Sequence, residues 1–80
     1  MSKVRVKLFF SGPSIKRPLV YELGHKFDLI TNIRRAEITD SGGWVVLELD
    51  AEKSEIKKSI EWAENEGVIV TLIEGDFIEG

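Results

Sequence analysis

Residues 30–50 read ITNIRRAEITDSGGWVVLELD, and this stretch decides the fold of the chain. Two runs within it, 30–39 and 44–50, are rich in the β-branched and apolar residues that strands favour. The four residues between them end in two glycines, which take positive φ without steric cost and therefore suit a hairpin connection. The stretch predicts a β-hairpin.

A four-residue loop over 40–43 also predicts which residues lie opposite each other in this hairpin. Ala36 would face Leu47, so the inner faces of both strands would be apolar. Arg35 would face Glu48, and such a cross-strand pair contributes only ~0.2–1 kcal/mol. We expect the pair to set the register of the hairpin more than its stability.

The segments on either side of the hairpin predict two helices and two more strands. Before the hairpin, residues 4–10 alternate apolar and polar side chains, as a strand with one buried face does. Apolar residues then recur at helical spacing over about 17–27, where Pro18 suits the first turn of a helix. After the hairpin, Asp50 has the side chain of a helix N-cap. A helix follows it, and residues 68–73 form the last strand.

The resulting order, β-α-β-β-α-β, predicts an α+β ferredoxin-like sandwich with a four-stranded antiparallel sheet and two helices on one face. The second strand of that fold lies at an edge of the sheet. Gly67 can end the second helix in a left-handed conformation. We assign the domain to residues 1–74 and a C-terminal tail to residues 75–80.

The composition limits the classes of function. A chain of 80 residues makes at most one domain, and a domain this short removes only about 60–65% of its unfolded surface from water, so an oligomer would help it. Because there is no cysteine, we expect no thiolate metal site and a cytoplasmic location. No apolar run approaches the roughly 20 residues of a membrane span. The net charge of −3 argues against general affinity for nucleic-acid phosphates.

Few residues are candidates for catalysis. His25 is the only histidine, and no carboxylate or nucleophile is visibly paired with it, so we assign it no role. The loop at residues 11–14 lacks the lysine and the glycine spacing of a phosphate loop. The glutamates of residues 52–66 are interleaved with lysines, as on a solvated helix face. We therefore expect no enzyme activity, no metal and no cofactor.

RNA binding is a further alternative, because RNA-recognition domains have this topology and stack bases on aromatic residues of the sheet. Phe9 and Trp44 would project from the open face of the sheet, near Arg5 and Lys7. The third strand lacks the basic-glycine-aromatic pattern of those domains, however, and the net charge is acidic. We therefore favour a partner subunit or a small ligand over a nucleic acid.

The start of the second strand has the residues that most resemble a site. Asn32, Arg34 and Arg35 would line the sheet edge, whose unpaired N–H and C=O groups pair readily with another chain. A short domain with such an edge often dimerises through it. On spacing alone, an equal alternative is that the two arginines only protect the edge.

The run Asn32-Ile33-Arg34 resembles the Asn-Ile-Leu-type motif that opens the second strand of NIL domains. These small ferredoxin-like modules occur at the C-terminal end of methionine-importer ATPases, ahead of some iron–sulfur ferredoxin domains, and alone. The resemblance covers residues 4 to about 73 and includes four further stretches, at residues 11–18, 43–49, 60–62 and 67–70.

In the importer members of that family, two copies pair and methionine binds near the dimer interface, with the motif asparagine among the groups needed. The resemblance implies that Asn32, Ile33 and Arg34 form a ligand site here, with Ile33 against the thioether. Arg34 stands where the importer members carry Ile or Leu. Its guanidinium either pairs with the ligand carboxylate or fills the pocket.

We therefore expect a non-enzymatic regulatory domain that forms a homodimer and senses methionine or a related sulfur amino acid at the dimer interface. The alternative is a protein-interaction module without a small ligand. Such a module would pair through the edge of the second strand with a redox or metabolic partner.

Overall fold

The computed structural model describes residues 2–11 and 18–75 and has the predicted order of elements. The strands and helices are β1 (Ser2–Ser11), α1 (Leu19–Lys26), β2 (Ile30–Thr39), β3 (Gly42–Ala51), α2 (Lys53–Asn65) and β4 (Ile69–Gly75). The four strands form one antiparallel sheet in the order β2-β3-β1-β4. Both helices pack on one face of this sheet, so the predicted α+β ferredoxin-like fold is confirmed.

The core lies between the helices and the two central strands. The alternation predicted for β1 is confirmed, because its residues from Val4 to Phe10 are buried at every second position. Leu47 and Leu49 of β3 and Ile56 of α2 are at most 1% exposed. Ser59 is also fully buried, and its Oγ donates a hydrogen bond to the carbonyl oxygen of Ile56 at 2.7 Å. This bond satisfies a polar group that would otherwise destabilise the core.

The connection of the β2–β3 hairpin is shorter than predicted. Only Asp40 and Ser41 form the turn, and Gly42 and Gly43 belong to β3. The turn is held by Thr39, whose Oγ1 donates a hydrogen bond to the carbonyl oxygen of Gly42 at 2.9 Å. The pairing of the two strands is therefore offset from the prediction.

The predicted opposition of Arg35 and Glu48 is wrong for this reason. Arg35 lies opposite Val46, and Ala36 lies opposite Val45 rather than Leu47. Glu48 lies instead between Asn32 on β2 and Arg5 on β1, and its carboxylate pairs with the Arg5 guanidinium at 3.2 Å.

Position 43 needs a glycine because the backbone of β2 lies close to it, and not because of the φ angle at that position. Of the two glycines of the hairpin, only Gly42 has positive φ. A Cβ atom at position 43 would collide with the carbonyl oxygen of Glu37 and with the Cα of Ile38. The lack of a side chain at Gly43 thus lets β2 pair closely with the start of β3.

We expect Gly43→Ala to lower the free energy of unfolding by about 1–3 kcal/mol, because the added methyl group forces the paired backbones apart. The control is Gly24→Ala, whose Cβ would meet Thr31 at an ordinary contact distance of 3.6 Å. That change removes a helix-interior glycine and should be neutral or stabilising by up to about 1 kcal/mol. Urea unfolding of both variants checks the prediction, and equal effects of the two changes would contradict it.

The starts of both helices differ from the prediction. Pro18, expected in the first turn of the first helix, is the N-cap residue of α1. Asp50 is the predicted N-cap, but it lies within β3, and α2 begins at Lys53 with Glu52 at its N-cap position. The predicted left-handed conformation after this helix is confirmed, because Gly67 has a φ of 93°. Residues 12–17, which include most of the predicted turn, and residues 76–80 of the predicted tail lie outside the described residues.

Candidate functional site

The edge strand β2 is the most exposed element of the described structure. Only Thr31 among its ten residues is partly buried, and the other nine are exposed. Three large apolar side chains are among them: Ile30, Ile33 and Ile38 are 64%, 58% and 57% exposed. An edge of this kind presents unpaired backbone groups together with apolar surface, which favours association with another chain.

The three predicted site residues are adjacent on β2, but their side chains do not share one face. Asn32 lies opposite Glu48 on the open face of the sheet, whereas Ile33 lies opposite the buried Leu47 and so belongs to the helix-covered face. The register shifts between Ile33 and Arg35, so Arg34 has no partner on β3. No one face of the sheet therefore presents all three side chains.

The shift at Arg34 has the form of a β-bulge, in which one extra residue bends a strand and redirects a side chain. The exposed Arg34 is that extra residue. Bulges are over-represented at sheet edges and beside functional sites. The bulge was not predicted, because no residue pattern in the motif specifies it.

Charged residues cross the open face next to Asn32. Arg5 lies at the centre of this row, with its guanidinium 3.2 Å from the Glu48 carboxylate and 3.8 Å from that of Glu74. The row joins β3, β1 and β4. Because such partly exposed pairs contribute little energy, their main effect is to fix the orientation of Glu48 beside Asn32.

The aromatic residues of the open face are engaged with cations. Lys7 Nζ lies 5.1 Å from the ring centre of Phe9 and 4.4 Å from that of Trp44. The Arg35 guanidinium lies 6.0 Å from the Trp44 ring on the same face. Lys7 thus occupies ring surface on which a base would stack in an RNA-recognition domain.

A shallow pocket lies on the other face of the sheet, between α1 and β2. It has a volume of about 440 Å³ and is lined by Val20, Tyr21, Gly24, His25, Leu29 and Thr31. The rings of Tyr21 and His25 stack at its margin, with centres 5.4 Å apart. No role was predicted for His25, and the pocket was not predicted from the sequence. The available signals were the i, i+4 spacing of Tyr21 and His25, which places them on one face of a helix, and the glycine between them.

The segment that connects α1 to β2 contacts the second helix, α2. The backbone N–H of Asp28 donates to Glu55 Oε2 at 2.9 Å, and Glu55 Oε1 lies 3.6 Å from Lys58 Nζ. Phe27 packs edge-on against Trp62 with ring centres 6.1 Å apart. These contacts hold the start of β2, and with it Asn32, at a fixed position relative to both helices.

The described residues show neither of two other kinds of site. In the ranges 2–11 and 18–75, no three metal-ligating side chains come together. Neither helix there has the length and apolar character needed to cross a membrane.

Comparison with known proteins identifies the family. The chain is similar over 88% of its length to the C-terminal domain of an ABC transporter ATP-binding protein from Enterococcus faecalis, with 22% identity, 82% of that chain covered and a TM-score of 0.79. It is also similar to the de novo designed protein Ferredog-Diesel, with 18% identity, 91% and 85% of the two chains covered and a TM-score of 0.60. At these identities the similarity concerns the fold.

A comparison with curated protein sequences finds no match. The family model described as the NIL domain matches residues 4–72. This range contains every residue of the candidate site on β2 and extends from β1 into β4. The chain belongs to the NIL domain family.

Proposed function

We propose that this chain is a non-enzymatic, cytoplasmic regulatory domain that forms a homodimer and binds methionine or a related sulfur amino acid at the edge of β2. The observation that carries this proposal is the exposure of nearly the whole of β2, including Asn32, Ile33 and Arg34. A short domain gains stability when such an edge is covered by a second copy.

Family membership supports a regulatory role. The match to the NIL domain covers most of the chain, and the similar structure from Enterococcus faecalis is part of an ABC transporter ATP-binding protein. NIL domains of methionine importers pair and bind methionine near their interface. We expect the motif residues of this chain to behave in the same way.

The chemistry of the three residues matches the parts of an amino acid. The Asn32 amide offers both a donor and an acceptor, and its side chain makes no hydrogen bond to another described residue. Arg34 can bind a carboxylate through two parallel N–H···O bonds. Ile33 provides exposed apolar surface for a thioether.

The first test is the melting temperature of the protein with and without methionine. For a small ligand we expect a dissociation constant in the micromolar to millimolar range. At a hundredfold excess over that constant the folded state gains ~2.7 kcal/mol, which corresponds to an increase of roughly ten degrees or more in a domain this small. Glycine, which has the same charged groups without the thioether, serves as the control ligand.

The homodimer has its own test, which is the mass in solution. Light scattering at micromolar concentration should give about twice the chain mass of 9.0 kDa. A monomer at all concentrations up to about 1 mM would remove the interface from the proposal.

The alternative function is a protein-interaction module that uses the β2 edge without a small ligand. The same exposed isoleucines favour it, because they need only a partner surface. If millimolar methionine, homocysteine and cysteine all leave the melting curve unchanged, the interaction module becomes the better explanation.

A further inference from the structure

We propose that two copies of this chain pair through antiparallel β2 strands centred on Ala36, so that Arg35 of each copy meets Glu37 of the other. The inference rests on the proposed homodimer and adds to it the register, the residue pairs and the contribution of each copy to the ligand site. It follows from the face on which each β2 side chain lies and from the charges along the strand.

The geometry of a sheet restricts the possible registers. Two identical edge strands that pair antiparallel are related by a two-fold axis perpendicular to the sheet, so directly opposed side chains lie on the same face. In β2, residues 32, 35, 37 and 39 lie on the open face and residues 33, 36 and 38 on the helix-covered face. The two-fold axis must therefore lie at one residue of β2, and that residue faces the same residue of the other copy.

Charge selects among the central positions of the strand. An axis at Arg35 would set two arginines against each other, and an axis at Glu37 would oppose two glutamates. Like charges directly opposite destabilise a strand pair. An axis at Ala36 instead places Arg35 opposite the partner's Glu37 twice, so each interface has two pairs of opposite charge.

The same register matches the apolar residues on the helix-covered face. Arg34 is the extra residue of the bulge and takes no place in the pairing. Ile33 and Ile38 are then each two positions from Ala36, so Ile38 lies opposite the partner's Ile33. These side chains are 57% and 58% exposed in one copy. Pairing would give a continuous apolar strip of four isoleucines around the two Ala36 methyl groups, and it would cover surface that α1 and α2 leave open.

The register also brings the second copy to the ligand site. Further from the axis at Ala36, Asn32 lies opposite the partner's Thr39. Thr31 then lies beside the partner's Asp40–Ser41 turn. Thr31 lines the pocket between α1 and β2. Each site therefore lies at an end of the paired strands, with Asn32 and Arg34 from one copy and the hairpin turn from the other, and it is incomplete in a monomer.

Cysteine cross-linking tests the register directly. The chain has no cysteine, so a disulfide reports only the introduced residue. In the Ala36→Cys variant the two Cα atoms would be about 4.5–5.5 Å apart, within disulfide range, and we expect most of the protein to form a covalent dimer under mild oxidation. In the control Ile38→Cys, the two cysteines would be roughly 13 Å apart, and the chains should stay unlinked.

Charge reversal provides an independent test. Arg35→Glu and Glu37→Arg each create two like-charge pairs and should weaken the homodimer by roughly tenfold or more. A mixture of the two variants restores both attractive pairs, so we expect a 1:1 heterodimer by native mass spectrometry. Circular dichroism of each variant establishes that it is folded.

The outcomes separate this inference from the proposed function. Cross-linking at position 38 but not at position 36, or a mixture that forms no heterodimer, would overturn the register. The wild-type dimer and its stabilisation by methionine could still stand in that case. A monomeric wild type would remove both the register and the proposed homodimer.

Discussion

Ile56→Ala should lower the free energy of unfolding by about 2–5 kcal/mol, the range for removing a large aliphatic side chain from a core. Ile56 is fully buried and belongs to the cluster that joins α2 to the sheet. The substitution opens a cavity that neighbouring side chains fill only in part. Because a domain of this size has a total stability of roughly 4–12 kcal/mol, the loss is a large part of the whole.

The matched control is Ile69→Ala, which makes the same chemical change where the side chain is 66% exposed. We expect a change within about 0.5 kcal/mol. Thermal unfolding of both variants at one fixed protein concentration, with the midpoint for Ile56→Ala lowered by at least about 8 °C, checks the prediction. A loss below about 1 kcal/mol at Ile56 would mean that α2 does not form the core as described.

The fold was predictable because each element carries its own periodic signal. The alternation of β1 between Val4 and Phe10 and the composition of residues 30–39 specify strands, and β2 has the predicted bounds. The order of elements then leaves few topologies. The edge position of β2 follows from this topology.

The register of the hairpin was not predictable from the same signals. Gly42 and Gly43 favour a turn by composition, yet Gly43 is needed where a Cβ would collide with the β2 backbone. Such a requirement depends on the paired strand and leaves no local pattern. Asp50 was misassigned for a similar reason: its side chain suits an N-cap, but pairing with Lys3 and Ile30 extends β3 past it.

The candidate site was predictable as a segment but not as a geometry. The motif directed attention to Asn32, Ile33 and Arg34, and all three are exposed on the edge strand. Pairing with β3 places their side chains on two faces of the sheet and produces the bulge at Arg34. Neither feature can be predicted from the segment alone. The pocket beside α1 joins residues of a helix and a strand, and such contacts cannot be read from either element alone.

Asn32→Ala should abolish the increase in melting temperature that methionine produces, while the variant without ligand stays folded. Asn32 is exposed, so its truncation should cost no more than about 0.5 kcal/mol of stability. The loss of binding has a larger effect, because a polar group that holds a charged ligand has no substitute at that position. The matched control is Asn65→Ala, since Asn65 is the other asparagine of the chain and is also exposed, at the end of α2. An unchanged methionine response in Asn32→Ala would exclude Asn32 from the site.

Arg34→Leu then tests the departure of this chain from the importer-type motif. Arg34 is the extra residue of the bulge and is exposed, so we expect its replacement to leave the fold unchanged. If the guanidinium holds the ligand carboxylate, removing a charge-assisted bond worth ~1.5–3 kcal/mol should weaken methionine binding by roughly tenfold or more. Since Arg34 is exposed and does not line the pocket beside α1, we expect its guanidinium to bind the ligand rather than obstruct it, and hence this weakening. Calorimetric titration with methionine measures the change, and Arg34→Lys, which keeps the charge but loses the bidentate geometry, should give an intermediate affinity. Tighter binding by Arg34→Leu would contradict the carboxylate role and show that the arginine obstructs the site.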